Sequence, residues 1–456
     1  MRPLLLLLAT CLSLPASGAE RPPNILFLLV DDLGWADLGC NGSAFYETPH
    51  VDRLAREGIR FTDAYTSASI CSPTRGSILT GRHPVRIDIT DFIPGAGDKG
   101  RTLRTPEDTH HLKLEEVTIA EALKEGGYAT FYTGKWHLGG PEFGPDRQGF
   151  DVYYDPHRDS SRGSPGKSRT MGRRHATPEL TRETMKFILD HKEKPWFAYL
   201  AYYDVHTPII AEPEFIEHYE AKAARLPPSP APVKEHDGLT RPRQDNPALA
   251  SMVQTVDRSV GKLVEHLDAL GLADDTVIIF YSDNGGLSTK AQPGPGCNRP
   301  LRAGKGWLYE GGIRVPLIVR MPGKKTAGRE TPHLVTSPDM FPTILALAGL
   351  DPRPGDHVDG ADFSPILHGA MIKRAPRSLY WHYPHYHGST WTPGAAIRDG
   401  HWKLIEFYDF GGHELYDLRN DLGEQRDLAK ENPDVARELL AKLHAWQKDI
   451  GARMPK

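Results

Sequence analysis

The chain has 456 residues, 39% hydrophobic and 25% charged, with 55 Lys plus Arg against 59 Asp plus Glu and 4 Cys. It is too long and apolar to be disordered, too poor in Cys to be a disulfide scaffold, and too near neutrality to capture nucleic acid by charge. One large core with an appendage is the expectation. In chain order, the first feature is an apolar run from Leu4 to Leu14, preceded by Arg2 and followed by Pro15, Ser17 and Ala19. It is shorter than the ~20 residues of a membrane helix and ends in small residues, so residues 1–19 read as a signal peptide for a periplasmic or secreted protein. Thr10 makes the stretch before Cys11 a poor lipoprotein box, and no later segment is long enough to span a bilayer.

Asn24 to Val30 is a continuous apolar run, the pattern of a parallel strand covered on both faces, and it stops at Asp31 and Asp32. The pattern recurs at Tyr128 to Thr133, ending in Lys135 and His137, at Trp196 to Tyr203, ending near His206, and at Thr276 to Tyr281, ending in Asp283 and Asn284. Ligands of open α/β sheets lie beyond the carboxyl ends of the strands, so these clusters are expected to share one pocket. Glu115 to Glu125 and Leu249 to Leu270 carry helical periodicity between strands. The Pro-rich, charged stretch 225–247 reads as a surface excursion, and Gly95 to Gly100 as a loop, because no strand enters its GxGxxG and no helix leaves it. Beyond about residue 372, short strands at 396–405 and 414–418 and an amphipathic helix from Pro433 to Ile450 indicate a separate small unit. The expected architecture is α/β: a large, mixed, mostly parallel sheet sandwiched by helices over residues 20–372, with a C-terminal antiparallel α+β subdomain over 373–456.

Two pairs of oxygen ligands stand at two strand ends, Asp31 and Asp32 with Asp283 and Asn284, and the three carboxylates among them would repel one another without a cation. Hard oxygen donors favour Ca²⁺ or Mg²⁺ over Zn²⁺, and one Ca²⁺ is expected. Cys71 begins Cys-Ser-Pro-Thr-Arg-Gly, followed by Leu79-Thr80-Gly81-Arg82. CxPTRG with a downstream LTGR resembles the signature of the type I, formylglycine-dependent sulfatases of the alkaline phosphatase superfamily. The likeness extends through the acidic strand ends to the KxH and HTP clusters, over roughly residues 23 to 450.

The resemblance implies that a separate formylglycine-generating or sulfatase-maturating enzyme oxidises Cys71. The four oxygen ligands and modified Cys71 would hold calcium. Arg75 would hold the diol, Lys135 and Lys305 would grip sulfate, His137 would serve as base and His206 would protonate the leaving oxygen. The implied activity is hydrolysis of a sulfate monoester, of a sulfated small molecule or glycan, through a sulfated enzyme intermediate. Bacterial sulfatases of this appearance often act on sulfated polysaccharides, so a carbohydrate is favoured over an aryl substrate. Related phosphatases usually have Asp-His where this chain has Asp283-Asn284, and Asn284 argues against a two-metal site. Three alternatives stay open: a low-pKa thiolate at Cys71, a phosphonate or phosphodiester hydrolase, and a silent binder of sulfated glycans. His382, His385 and His387 match no zinc spacing and are candidates for substrate contact. The sequon Asn41-Gly42-Ser43 matters only in a host that glycosylates. If Cys71 is consumed by modification, Cys40 and Cys297 are left as a pair expected to form a disulfide.

Overall fold

The computed structural model describes residues 21–156, 176–370 and 377–456. The leader in residues 1–19, the stretch 160–175 whose loop character would let it choose the substrate, and the subdomain boundary at 372 lie outside them.

An eight-stranded sheet forms the centre, in the order β11-β2-β10-β8-β1-β5-β3-β4. The strands are β1 (Asn24–Val30), β2 (Ile59–Phe61), β3 (Ala129–Gly134), β4 (Val152–Tyr154), β5 (Trp196–Ala201), β8 (Thr276–Ser282), β10 (Leu317–Arg320) and β11 (Arg329–Thr331). Of these, β10 alone runs antiparallel to its neighbours. All seven residues of β1 are buried because the sheet is covered on both faces. Ile25, Phe27 and Leu29 point into one hydrophobic layer; Leu26, Leu28 and Val30 point into the other. Phe27, Tyr199 and Tyr132 stack across β1, β5 and β3, with centroids 4.7 and 5.1 Å apart.

Local chemistry fixes the helices. The one expected from Glu115 starts at Ile119, because Thr118 accepts from the Glu121 N–H while the Glu121 carboxylate accepts from the Thr118 N–H. The helix Pro247–Ala269 begins at Pro247, with the Asn246 side chain accepting from Ala248 and Leu249.

The stretch expected as a plain excursion also carries a hairpin, β6 (Val233–Glu235) and β7 (Gly238–Thr240), which pairs with β9 (Thr289–Lys290). These strands are three residues or fewer, too short for periodicity to reveal. Residues 95–100 hold no helix or strand, as the loop reading requires.

The second sheet is β12 (Ser378–Tyr383), β13 (Gly394–Asp399), β14 (Trp402–Phe407) and β15 (His413–Asp417), antiparallel throughout. The stretch 396–405 is therefore a hairpin folded at Gly400. The helix Pro433–Ile450 covers one face of this sheet, with Leu439 and Leu443 against Ile397, Leu404 and Leu415. The other face packs through Trp381 and Tyr416 onto Trp307 and Tyr65 of the large domain.

Cys40 and Cys297 are free thiols, contrary to the expected pairing. Each sits in its own polar setting: the Cys40 N–H is bound to Asp52, whereas Cys297 is buried and its carbonyl accepts from Gln244. The Asn41 amide of the sequon donates to the Trp35 carbonyl, so its nitrogen is already engaged.

Candidate active site

The carboxyl ends of β1, β8, β3 and β5 converge, because β1 lies between β8 and β5, and β3 follows β5. A cavity of about 650 Å³ opens there, and Cys71, Lys135, His137, His206 and Lys305 all line it. Five of the ten expected site residues thus line one wall, and the other five, Asp31, Asp32, Arg75, Asp283 and Asn284, are buried beside them.

Cys71 is the first residue of the helix Cys71–Thr80, every residue of which is buried. A helix N-terminus favours negative charge at that position. Gly134 ends β3 at φ +97, and a Cβ there would lie 1.8 Å from the Ala201 carbonyl oxygen. Glycine alone allows β3 to leave β5 so closely and deliver Lys135 and His137 to the cavity. His137 sits at φ +58, its Nε2 donates to the Ile93 carbonyl at 2.6 Å, and its Nδ1 lies 3.1 Å from the Cys71 sulfur. A carbonyl can only accept, so the proton is on Nε2 and Nδ1 presents its lone pair to position 71. Burial and Lys135 push His137 down to about 3, so the ring is neutral.

Beneath the cavity lies a buried lattice of charge. Arg75, 1% exposed, donates through Nε to Asp283 at 2.8 Å and through Nη1 to the Lys135 carbonyl at 2.6 Å. Lys135 Nζ pairs with Asp31 at 2.6 Å, and Lys305 Nζ with Asp32 at 2.6 and 2.9 Å. The Asn284 amide donates to Asp32 at 2.8 Å, and the Asp32 N–H donates to Asp283 at 3.1 Å. Burial alone would raise the Asp31 carboxyl, but Lys135, His206, Arg75 and Lys305 outweigh it and hold it well below the ordinary range. Asp283 goes the other way: burial and neighbouring Asp31 push it well above, despite Arg75 and Lys135. Such crowding is what a divalent cation relieves.

The residues fit one. Asp31 Oδ1 and Asn284 Oδ1 are buried oxygens from adjacent strand ends with no hydrogen-bond partner, and Asp31, Cys71 and Asp283 bring potential ligand atoms within 4.8 Å of one another. Asp31, Asp32 and His206 likewise bring potential ligand atoms within 4.8 Å of one another. Nitrogen is the poorer donor for a hard ion, so the oxygen set is the better match.

Of the three late histidines, His387 alone reaches the cavity. His382 is bound to the Arg453 carbonyl and His385 to the Thr90 hydroxyl. His387 Nδ1 accepts the Ser389 N–H at 3.1 Å, which leaves its proton on Nε2 beside Lys305. Gly306, at φ +83, makes room: a Cβ there would lie 2.2 Å from His387 Nδ1. Trp136, Asp155 and Tyr203 also line the wall, although no motif marks them as site residues. The Tyr203 hydroxyl donates to Asp155 at 3.1 Å, a contact only the fold reveals.

Residues 23–350 match the family model described as Sulfatase, and residues 303–449 the model described as N-sulphoglucosamine sulphohydrolase, C-terminal. Human arylsulfatase A is 32% identical over 499 residues, covering 96% of this chain and 89% of its own. Mouse N-acetylgalactosamine-6-sulfatase is 33% identical over 398 residues, covering 81% and 71%. A crystal structure of Ps i-CgsB in complex with k-i-k-neocarrahexaose superposes with a TM-score of 0.74 at 30% identity, covering 93% of each chain.

Proposed function

The chain belongs to the sulfatase family, and from that membership we propose that it hydrolyses a carbohydrate sulfate monoester through a formylglycine made from Cys71 by a maturating enzyme. The observation that carries this reading is the Nδ1 lone pair of His137, 3.1 Å from the sulfur of Cys71, in a cavity also lined by Lys135, Lys305 and His206. The Cys71 sulfur stands where a hydroxyl of the hydrated aldehyde would stand.

One hydroxyl of the diol attacks sulfur, its proton passing to the adjacent Asp283 carboxylate, and the bond to the leaving oxygen breaks while His206 supplies a proton to that oxygen. His137 then takes the proton of the second hydroxyl; the carbonyl reforms and sulfate departs. Lys135 and Lys305 hold sulfate oxygens, and Arg75 steadies position 71 from below. Asp31, Asp32, Asp283 and Asn284 would hold Ca²⁺, which polarises oxygen and offsets sulfate charge when bound. The carbohydrate assignment follows relatives named for an amino-sugar sulfate and a carrageenan oligosaccharide complex. The leader in residues 1–19 goes with export to the periplasm or the medium, and among the described residues no helix is long and apolar enough to cross a membrane. The catalytic unit is taken as residues 20–372 and the antiparallel subdomain as 373–456. Parallel assays on matched sulfate and phosphate esters test the reading: turnover of phosphate alone would overturn it.

His206 gives a pH prediction. Burial and Lys305 push it down to about 4, against the pull of Asp32. Its Nδ1 proton is committed to Thr207, so Nε2 can donate only from the doubly protonated ring. That form is lost as pH rises through about 4, so kcat/KM for alkyl sulfates should fall above it. His206→Gln should remove this limb and cost about 10²–10⁴-fold on alkyl sulfates, but less than about tenfold on sulfates of acidic phenols. Equal losses on both would end its role as acid.

Calcium gives another. Ca²⁺ at a hundredfold excess over its Kd should stabilise the fold by about 2.7 kcal/mol, read as a higher melting temperature. A shift with Mg²⁺ alone would change the metal, and no shift with any divalent ion would remove the site.

A further inference from the structure

Asp91 lies outside every motif, yet its contacts lead to the reacting position. It is 4% exposed. One carboxylate oxygen accepts the Phe92 N–H at 2.8 Å and the Tyr383 hydroxyl at 3.0 Å; the other accepts the Ala96 N–H at 3.2 Å. Asp108 supports it from behind, accepting the N–H groups of Thr90 and Asp91 at 2.8 Å each. The turn that Asp91 closes contains Ile93, whose N–H donates to Ser72 at 3.2 Å and whose carbonyl accepts the His137 Nε2 proton at 2.6 Å. A continuous line of hydrogen bonds therefore runs from Tyr383 on β12, through Asp91 and the turn, to His137 and position 71.

We propose that Asp91, braced by Tyr383, is the positioning residue for the base: it fixes the turn so that the Ile93 carbonyl holds the Nε2 proton of His137 and leaves the Nδ1 lone pair facing position 71. A buried Asp that merely caps a turn would stabilise the chain and do no more. Here the turn decides which nitrogen of the base is free. With the carbonyl displaced, the imidazole can rotate or take the other tautomer, and an Nδ1–H cannot accept a proton. The slowed step is then loss of sulfate from the enzyme, in which the second hydroxyl gives its proton to His137, the carbonyl forms, and the carbon–oxygen bond to sulfate breaks. This rests on the formylglycine reading above.

Asp91→Asn keeps the size of the side chain but sets one acceptor oxygen and an NH₂ against three converging donors. With Cys71 conversion confirmed by peptide mass, turnover of a chromogenic aryl sulfate should fall about 10–100-fold. KM should not rise, a burst of phenol should approach one equivalent, and the quenched protein should carry sulfate in its intact mass. Tyr383→Phe should do the same more weakly, and it carries the test if Asp91→Asn does not fold. A folded Asp91→Asn with normal turnover, or with slow turnover and no sulfated enzyme, would overturn the proposal. His137→Ala serves as the control. If it too accumulates no sulfated enzyme, the assignment of His137 as base is at fault rather than that of Asp91.

Discussion

Cys71→Ala is expected to lower kcat about 10⁵-fold or more, some 7 kcal/mol of barrier, without unfolding the protein. The nucleophile is removed outright, whereas the cation-holding residues, the lysines and both histidines keep their supports. Those supports run through Arg75, Ile93 and Thr207, not through the sulfur. Structural cost should be small, since one buried sulfur is lost from the start of a helix whose remaining residues stay packed. The measurement is turnover of an aryl sulfate beside a thermal melt. A variant that melts like the parent and retains full activity would refute the proposed nucleophile. The mass of the tryptic segment containing Cys71 decides the chemistry independently, because the aldehyde is lighter than the thiol. A wholly thiol form in active native protein would leave a cysteine nucleophile, and the same form in inactive protein a binder.

The largest expected effect on stability lies elsewhere, at Lys403 on β14. Its ammonium, fully buried, lies 2.9 Å from Glu310 and 2.8 Å from Glu424, both also fully buried. Glu424 also accepts the Glu310 N–H at 2.7 Å, so the cluster ties the second sheet to the segment following Lys305. Burial and Glu310 push Glu424 above the ordinary carboxylate range despite Lys403. Glu310 is held below it by Lys403, Arg314 and Arg398, which overcome its own burial. Lys403→Met leaves Glu424 without its cation and should cost about 3–5 kcal/mol, seen as a lower urea midpoint. The pH dependence has a definite sign. A carboxyl raised in the folded state contributes stability below its unfolded pKa and loses it as pH rises through the folded value. The deficit of the variant should therefore be smaller near pH 5 than near pH 8. An equal deficit at both would show that the charge of Glu424 is not the cause.

Much of the site could be read in advance for a definite reason. These two strands, buried on both faces, hold no charged residue, so Asp31 and Asp32 after β1, and Asp283 and Asn284 after β8, stand out against their apolar runs. The helical stripe over 249–270 and the terminal helix from Pro433 were equally plain. What escaped depends on pairings far apart in the chain. Nothing local marks β10 as antiparallel, and β2 and β11 are three residues each. His387, grouped with two neighbours of the same kind, differs from them only in what it faces. Cys40 and Cys297 looked like a pair because counting cannot see that each occupies a separate environment.

The central position of β1 has a consequence for synthesis. It is first in the chain among the described strands, yet its two neighbours are β5, at residues 196–201, and β8, at 276–282. At ribosomal rates of about 5–20 residues per second, β1 waits on the order of 10–50 seconds for its later neighbour. Until then six consecutive apolar residues, Ile25 to Val30, lack one of their two neighbours, an invitation to chaperones or to aggregation. The Cys71 helix depends on the same late segment, because its Arg75 donates to Asp283 just after β8, and in the finished fold all ten of its residues are buried. An enzyme that acts on Cys71 would therefore reach it freely in a chain not yet folded, and in the finished fold only by way of the cavity that Cys71 lines.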